Sequence, residues 1–343
     1  MTATCPQIAK NGCRRLCLPR TIDYMASGRF PELRFVHALT GIDETRHQLA
    51  RAARRGLQHR VARGVYTDTA RWTAFSPRQQ YLARVLAIAD TRHNRPVISH
   101  WSAAALHGLP ALGGWPATVH ITTAPTSTAR SRGGVVKHAL ALGDADVVEI
   151  DGMLVTSLER TIVDIAVAAT FMTAVVMADH ALLVDRFART PPLTTKAELI
   201  AAWDSRLPFK GHRRAELVLE FAETKSHTPI ESVSRVNMFV IGCPRPELQV
   251  PHYDHDGFVG DPDFTWKAYR MLGEADGDRK YLDEAYRSGR TVEEVLRDEK
   301  IREDRLRALG NGMSRWRWKV ARDPGLLRRH LLAAGLPMGI PWR

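Results

Sequence analysis

No stretch of this chain stays apolar and nearly uncharged for longer than the 14 residues from Ile165 to Ala178, and acids bracket that run at Asp164 and Asp179. Crossing a bilayer takes about 20 such residues. The run therefore reads as a buried helix, and the apolar side chains must be hidden from water by periodic elements. A capping box at Thr156-Ser157-Leu158-Glu159 opens that helix, which is expected to run towards Phe187. At 343 residues the chain exceeds one ordinary core and divides into two or three. A charged fraction of 25% beside 44% hydrophobic residues is the balance of a folded chain, not a disordered one. Helical and strand patterns alternate along it, so the expected class is multi-domain α/β.

Charge is spread unevenly. The formal net charge is +12, which favours a polyanionic partner, nucleic acid or an acidic membrane surface, over a neutral metabolite. Residues 1–72 hold 13 Lys and Arg against 5 Asp and Glu, whereas residues 211–314 hold 16 against 20. From Arg315 to Arg343 the count is 7 against 1. A basic head and a basic tail thus enclose an acidic stretch. Residues 1–29 lack the apolar core of a secretory signal and read as a disordered leader, with Met25 a possible second start. Cys5, Cys13, Cys17 and Cys243 form no disulfide framework, as suits a reducing cytoplasm. The first three could hold a metal, but no second closely spaced Cys/His pair follows.

Residues 30–72 carry a compact pattern. Phe35 to Leu39 reads as a short helix ending at Thr40-Gly41, and Asp43 then caps a longer one, Glu44 to Arg55, stopped by Gly56. Leu57 to Val61 and Gly64 to Thr67 alternate as two strands. Helix, glycine turn, basic helix and basic hairpin is the winged helix-turn-helix order, in which the second helix enters a major groove and the wing meets phosphate. Arg46, Arg51, Arg54 and Arg55 are the expected groove or backbone contacts, and Arg60 and Arg63 the wing contacts. The bland alternative is a solvated cationic helix.

Residues 73–210 read as an α/β domain. Helices are expected at Pro77–Thr91 and Ser99–Leu106, strands at Val119–Thr123 and Val135–Leu140, and a connection from Pro191 to Gly211. His100, His107, His120 and His138 have no reliable ligand spacing and read as structural. The run HALTGIDETRHQLARAARRGLQHRVARGVYT, followed by SHWSAAALHGLP, VHITT and TSLERTIVDIA, resembles the AbiEi family of antitoxin-type regulators from bacterial abortive-infection systems. That resemblance spans about residues 30–190 and implies a winged-helix DNA binder joined to an α/β domain.

The last third, residues 211–335 before a short tail at 336–343, carries the chemistry. Thr228-Pro229-Ile230-Glu231 opens a helix; Glu247–Val250, Phe258–Trp266 and Arg270–Ala275 read as strands, and Met313–Trp318 as a fourth beyond a helix from Val292 to Leu309. Asp263 falls on the second strand after Pro262, and Glu274 ends the third. Phosphodiester hydrolysis needs carboxylates converging from neighbouring strands to hold Mg²⁺ or Mn²⁺. This order, with GEADGDRKY, EKIREDRLRALG and SRWRW, resembles the PD-(D/E)XK nucleases of the very-short-patch-repair endonuclease branch, a restriction-endonuclease-like mixed sheet flanked by helices.

By that resemblance Asp263 and Glu274 are metal ligands and Glu231 an accessory acid. The lysine expected two residues after Glu274 is Asp276 here, which leaves a migrated cation, Lys280 or Lys300, or a weakened enzyme. Asp276 is then either a further ligand or the residue that turns the chain before Gly277. Arg315 and Arg317 alternate with Trp316 and Trp318, so buried tryptophans and phosphate-facing arginines are expected. The run His252 to Gly257 looks like a metal loop but also fits a hairpin turn. Three functions follow: a DNA endonuclease delivered by its winged helix, an antitoxin-type regulator with a weak or inactive nuclease-like domain and a nucleotidyltransferase-type toxin as partner, or a protein-interaction module. None of these readings requires a membrane.

Overall fold

A computed structural model describes residues 32–36, 42–92, 94–127, 130–185, 190–277 and 291–342, with the side chains of 42–46, 292 and 296 outside the description. The architecture is mixed α/β in two compact units, Met1–Thr91 and Arg92–Arg343. Among the described residues no helix is long and apolar enough to cross a membrane.

In the first unit, strands β1 (Arg34–Phe35), β2 (Gln58–Ala62) and β3 (Val65–Asp68) form an antiparallel sheet in the order β1-β3-β2. Helix α1 (Ile42–Arg54) precedes β2, and Gly64, at φ +75°, turns the hairpin. Phe35 is in a strand rather than a helix, because its partner Val65 completes the sheet edge; residues 37–39 of the expected short helix lie outside the description. Helices α2 (Thr69–Ala74) and α3 (Pro77–Asp90) finish the unit. Ser76 and Gln79 form a capping box at the start of α3, with Pro77 in its first turn. Although the sequence places this helix in the central region, it packs in the first unit, where Gln80 donates to the Trp72 carbonyl and Arg84 lies over the Trp72 ring.

The second unit holds two mixed sheets. Strands β4 (Val97–Ile98), β5 (Val119–Thr123), β6 (Val135–Ala139), β7 (Val147–Ile150) and β8 (Met153–Thr156) are ordered β6-β5-β4-β8-β7, with α4 (His100–His107) between β4 and β5. The long apolar run forms two helices, α5 (Leu158–Ala168) and α6 (Phe171–Leu182). The expected single helix breaks at Ala169-Thr170 because the Thr170 hydroxyl accepts from the Thr173 N–H and caps a new helix. The first cap is Ser157, one residue later than expected, accepting from the Arg160 N–H. Within the expected connection, Thr195 and Glu198 cap a further helix, α7 (Lys196–Asp204), before α8 (His212–Phe221).

The last region opens with α9 (Pro229–Val240) and builds β9 (Glu247–Leu248), β10 (His252–Asp254), β11 (Gly257–Gly260), β12 (Phe264–Trp266) and β13 (Met271–Asp276). Helix α10 (Val292–Ala308) then carries the chain to β14 (Gly312–Arg317), and α11 (Trp318–Ala321) and α12 (Pro324–Ala333) follow. The sheet order is β14-β13-β12-β9; β13 and β14 are parallel and the other pairs antiparallel. The expected second strand is interrupted, since Gly257–Gly260 pairs in a separate hairpin with β10 and only Phe264–Trp266 enters the main sheet. Phe264, Trp266 and Trp316 stack in the core beneath that sheet. Inside this unit Arg235 of α9 reaches back to Asp179 of α6 through two hydrogen bonds of 2.9 and 2.8 Å, both residues buried.

Candidate active site

Asp263 lies in the bend that leads into β12, not within the strand as expected. Phe264 pairs with Gly273, so Asp263 stands beside Glu274 across the antiparallel pair. Its Oδ2 accepts the Ala275 N–H at 2.8 Å, and its Oδ1 accepts from the Gln249 amide at 3.1 Å. The same amide nitrogen donates to Glu231 Oε2 at 3.3 Å. Glu231, buried in the first turn of α9, also accepts the His227 N–H at 2.8 Å and the Thr228 hydroxyl at 2.6 Å. Gln249 therefore links Glu231 to Asp263, and the strand pairing sets Glu274 beside Asp263. Nothing in the sequence marks Gln249, which lies between Leu248 and Val250 like any strand residue. Its backbone does mark it: φ is +48°, a left-handed conformation that costs a non-glycine residue roughly 1–3 kcal/mol.

The other side of Glu274 is cationic. Arg302 of α10 donates from Nη2 to Glu274 Oε1 at 2.5 Å, and Arg315 Nη2 approaches Oε2 at 3.5 Å. Parallel pairing sets Arg315 directly opposite Glu274. From there its guanidinium reaches Asp276 at 3.0 Å, Glu303 at 3.2 Å and also Glu299. Arg315 is thus enclosed by four carboxylates and does not project as a lone phosphate contact; burial works against its charge, but the Asp276 and Glu299 hydrogen bonds hold its proton more firmly than usual. Burial pushes the Glu274 carboxyl up and neighbouring Asp263 adds to this, with Arg302 and Arg315 opposing.

The oxygens of Glu274, Asp276 and Glu299 lie within 4.8 Å of one another. Hard carboxylate donors in this number suit Mg²⁺ or Mn²⁺, so Asp276 joins the candidate ligands and Glu299 is one the sequence did not single out. A charged helix face conceals Glu299, because on that face surface ion pairing and site lining look alike. Lys300 is exposed on α10, and Lys280 lies outside the described residues. Trp316 is buried as expected, donating to the Ser234 hydroxyl at 2.8 Å, while Trp318, expected in the same strand, instead opens α11 and is half-buried, and Arg317 is exposed.

The remaining candidates divide clearly. Arg51, Arg54, Arg55, Arg60 and Arg63 are all exposed, the first two on α1 and Arg60 on β2; the Arg46 side chain lies outside the description, as do Cys5, Cys13 and Cys17. His252 to Gly257 is a hairpin, its turn held by the Asp256 N–H on Asp254 Oδ1, and Arg305 holds Asp254 with two bonds of 2.8 and 2.6 Å. His100 and His138 stack face to face at 3.5 Å, and His120 Nδ1 meets His138 Nε2 at 3.0 Å.

No profile of a known protein family matches the sequence. Two uncharacterized proteins of Mycobacterium tuberculosis, MT2308 of strain CDC 1551 / Oshkosh and Rv2248 of strain H37Rv, are each 27% identical over 266 residues, covering 78% of this chain and 88% of theirs. The crystal structure of the RV2827C protein from Mycobacterium tuberculosis aligns over 68% of this chain and 87% of that one, at 15% identity and a TM-score of 0.35.

Proposed function

We propose that this chain binds DNA in the cytoplasm and hydrolyses its phosphodiester bonds at a site dependent on Mg²⁺ or Mn²⁺. The observation that carries this reading is the placement of Asp263, at the entry to β12, beside Glu274 of β13, with Asp263 joined to Glu231 through Gln249. A divalent ion bound there would activate water and neutralise charge developing on the phosphate. Glu274, Asp276 and Glu299, whose oxygens converge, would supply hard oxygen donors for it, with Asp263 beside Glu274. Gln249 holds two of the acids in register, and Glu231 is fixed by bonds to the His227 N–H and the Thr228 hydroxyl. Arg302 and Arg315 bring to Glu274 the fixed positive charge that Asp276 does not. The strand order, three antiparallel members followed by a helix and a parallel fourth, supports the PD-(D/E)XK resemblance. The exposed arginines around α1 and the β2–β3 hairpin support a winged-helix DNA binder of the AbiEi type in the first unit.

A second reading rests on the same arginines. Two guanidiniums already neutralise part of the cluster, as suits a nuclease-like domain kept for binding in an antitoxin-type regulator, with a nucleotidyltransferase-type toxin as partner. One assay separates the two. Purified protein with Mn²⁺ is expected to nick plasmid, branched or mismatched DNA, and Asp263→Ala and Glu274→Ala are each expected to lower the rate at least 100-fold. Wild-type protein that binds DNA and leaves every substrate intact selects the regulator. Under either reading, replacing Arg51 and Arg55 by Ala lowers the salt dependence of DNA binding, by about one unit of slope for each phosphate that is no longer neutralised.

A further inference from the structure

The segment leading into α9 borders a cleft of about 420 Å³, lined among others by Lys225, His227, Gln249, Tyr253 and Asp261. Two of its walls belong to the carboxylate frame. Gln249 donates to Glu231 and Asp263, and the His227 backbone N–H donates to Glu231. Asp261, two residues before Asp263, is the single carboxylate among the lining side chains. Lys225 is exposed, and among the described residues neither its ammonium nor the His227 ring makes an ion pair or hydrogen bond. That is unusual in a chain whose other site cations, Arg302, Arg305 and Arg315, are all held by carboxylates. Tyr253 is 62% exposed and meets Phe258 edge to face, which leaves a ring face open.

An uncommitted ammonium and imidazole attract phosphate, and an open aromatic face accepts a base without regard to its sequence. The volume is that of a small-ligand site, of the order that holds one nucleotide. Resting on the phosphodiesterase reading above, we propose that this cleft is a nucleotide subsite. Lys225 and His227 hold a backbone phosphate next to the bond placed at Glu231, Asp263 and Glu274, and Tyr253 stacks on the adjoining base. A base lying on Tyr253 has left its duplex, so the preferred substrate is DNA with unpaired nucleotides, a single strand or a flap.

Photocrosslinking of the full-length protein tests this. Oligonucleotides carrying 5-iodouracil, single-stranded or fully paired, are irradiated and the crosslinked residue is mapped by mass spectrometry. The expected crosslink falls on Tyr253, is at least fivefold stronger with the single strand, survives Tyr253→Phe and disappears in Tyr253→Ala. Combining Lys225→Ala with His227→Ala is expected to cut its yield about tenfold and to raise KM for cleavage with little change in kcat. Lys225 and Tyr253 are exposed and His227 is half-buried, so circular dichroism and the thermal midpoint of each variant are compared with the wild type, and a variant whose midpoint has fallen is replaced by Lys225→Gln, His227→Gln or Tyr253→Leu. If cleavage proceeds but no crosslink forms at Tyr253 and the double variant keeps its KM, the subsite is wrong and the nuclease reading stands. If no substrate is cleaved yet the Tyr253 crosslink depends on Lys225 and His227, the nuclease reading falls and the nucleotide site stands. A crosslink equally strong with paired DNA overturns the preference for unpaired nucleotides.

Discussion

Histidine chemistry shows how far one residue's behaviour depends on neighbours distant in sequence. His100 is held down to about 2 by burial, then by the charges of His138, His120, Arg160 and Arg206, and His120 to about 4 by burial and His138. Unfolded histidines bind protons below about pH 6.5, whereas these remain neutral in the fold until far lower. Between those values the unfolded state holds more protons, so stability present above pH 6.5 is lost as pH falls towards 4. Chemical denaturation of the wild type at pH 7.5 and pH 5 is expected to differ by roughly 1–2 kcal/mol more than in His120→Gln, which has no such proton to bind. An equal pH dependence in the two proteins refutes the assignment. The same contrast holds in the candidate site. Asp263 and Glu274 are legible because a carboxylate in a sequence that reads as a mostly apolar strand needs a reason. Gln249 and Glu299 are not, since a lone glutamine beside a strand and an acid on a charged helix are ordinary until folding points them at something.

At the scale of elements, capping and turn chemistry is local, yet only part of it is readable, since the cap of α5 falls at Ser157 instead of Thr156 and the cap at Thr195 lies where a connection is expected. Ser76 with Gln79, and the Asp254–Gly257 turn, follow from side chains within three residues of the backbone groups they satisfy. The break between α5 and α6 is hidden because apolar periodicity runs straight through Thr170, and a hydroxyl in a buried run does not announce a cap. Packing at the sheet is equally invisible in advance. Gly273 lies on β13 where an added Cβ would stand 2.7 Å from Trp316 Cη2 and 2.9 Å from Trp266 Cζ3. Both rings are buried, so neither can move aside cheaply. Gly273→Ala is therefore expected to cost about 1–3 kcal/mol in urea denaturation. Under the metal-site proposal, Glu274 follows directly, so the substitution should also weaken Mn²⁺ binding measured by calorimetry. A variant as stable as the wild type would mean that the strand shifts freely.

At the scale of the whole molecule, the division into units follows packing and not composition. Helix α3 joins the first unit, and the regions that sequence separates near residue 210 share one unit, tied by Asp179 and Arg235. Removing one partner leaves the other charged, buried and unpaired, so Asp179→Ala is expected to cost roughly 3–5 kcal/mol, read as a lower Tm and denaturation midpoint. Replacement of both residues by apolar ones of similar size should cost much less; a double variant as damaged as Asp179→Ala would argue against the ion pair as the cause. What the chain dictates unaided is the class, mixed α/β with no apolar run fit for a bilayer, together with the basic head, the acidic stretch and the acids Glu231, Asp263 and Glu274. Those properties follow from periodicity, spacing and charge, which act over a few residues. Tertiary packing alone could set Gln249 between two of those acids, wrap Arg315 in four carboxylates and leave Lys225 and His227 uncommitted beside them. Hydrogen bonds between residues 14 to 82 positions apart arise from how elements stack, and no local pattern encodes which side chains will meet.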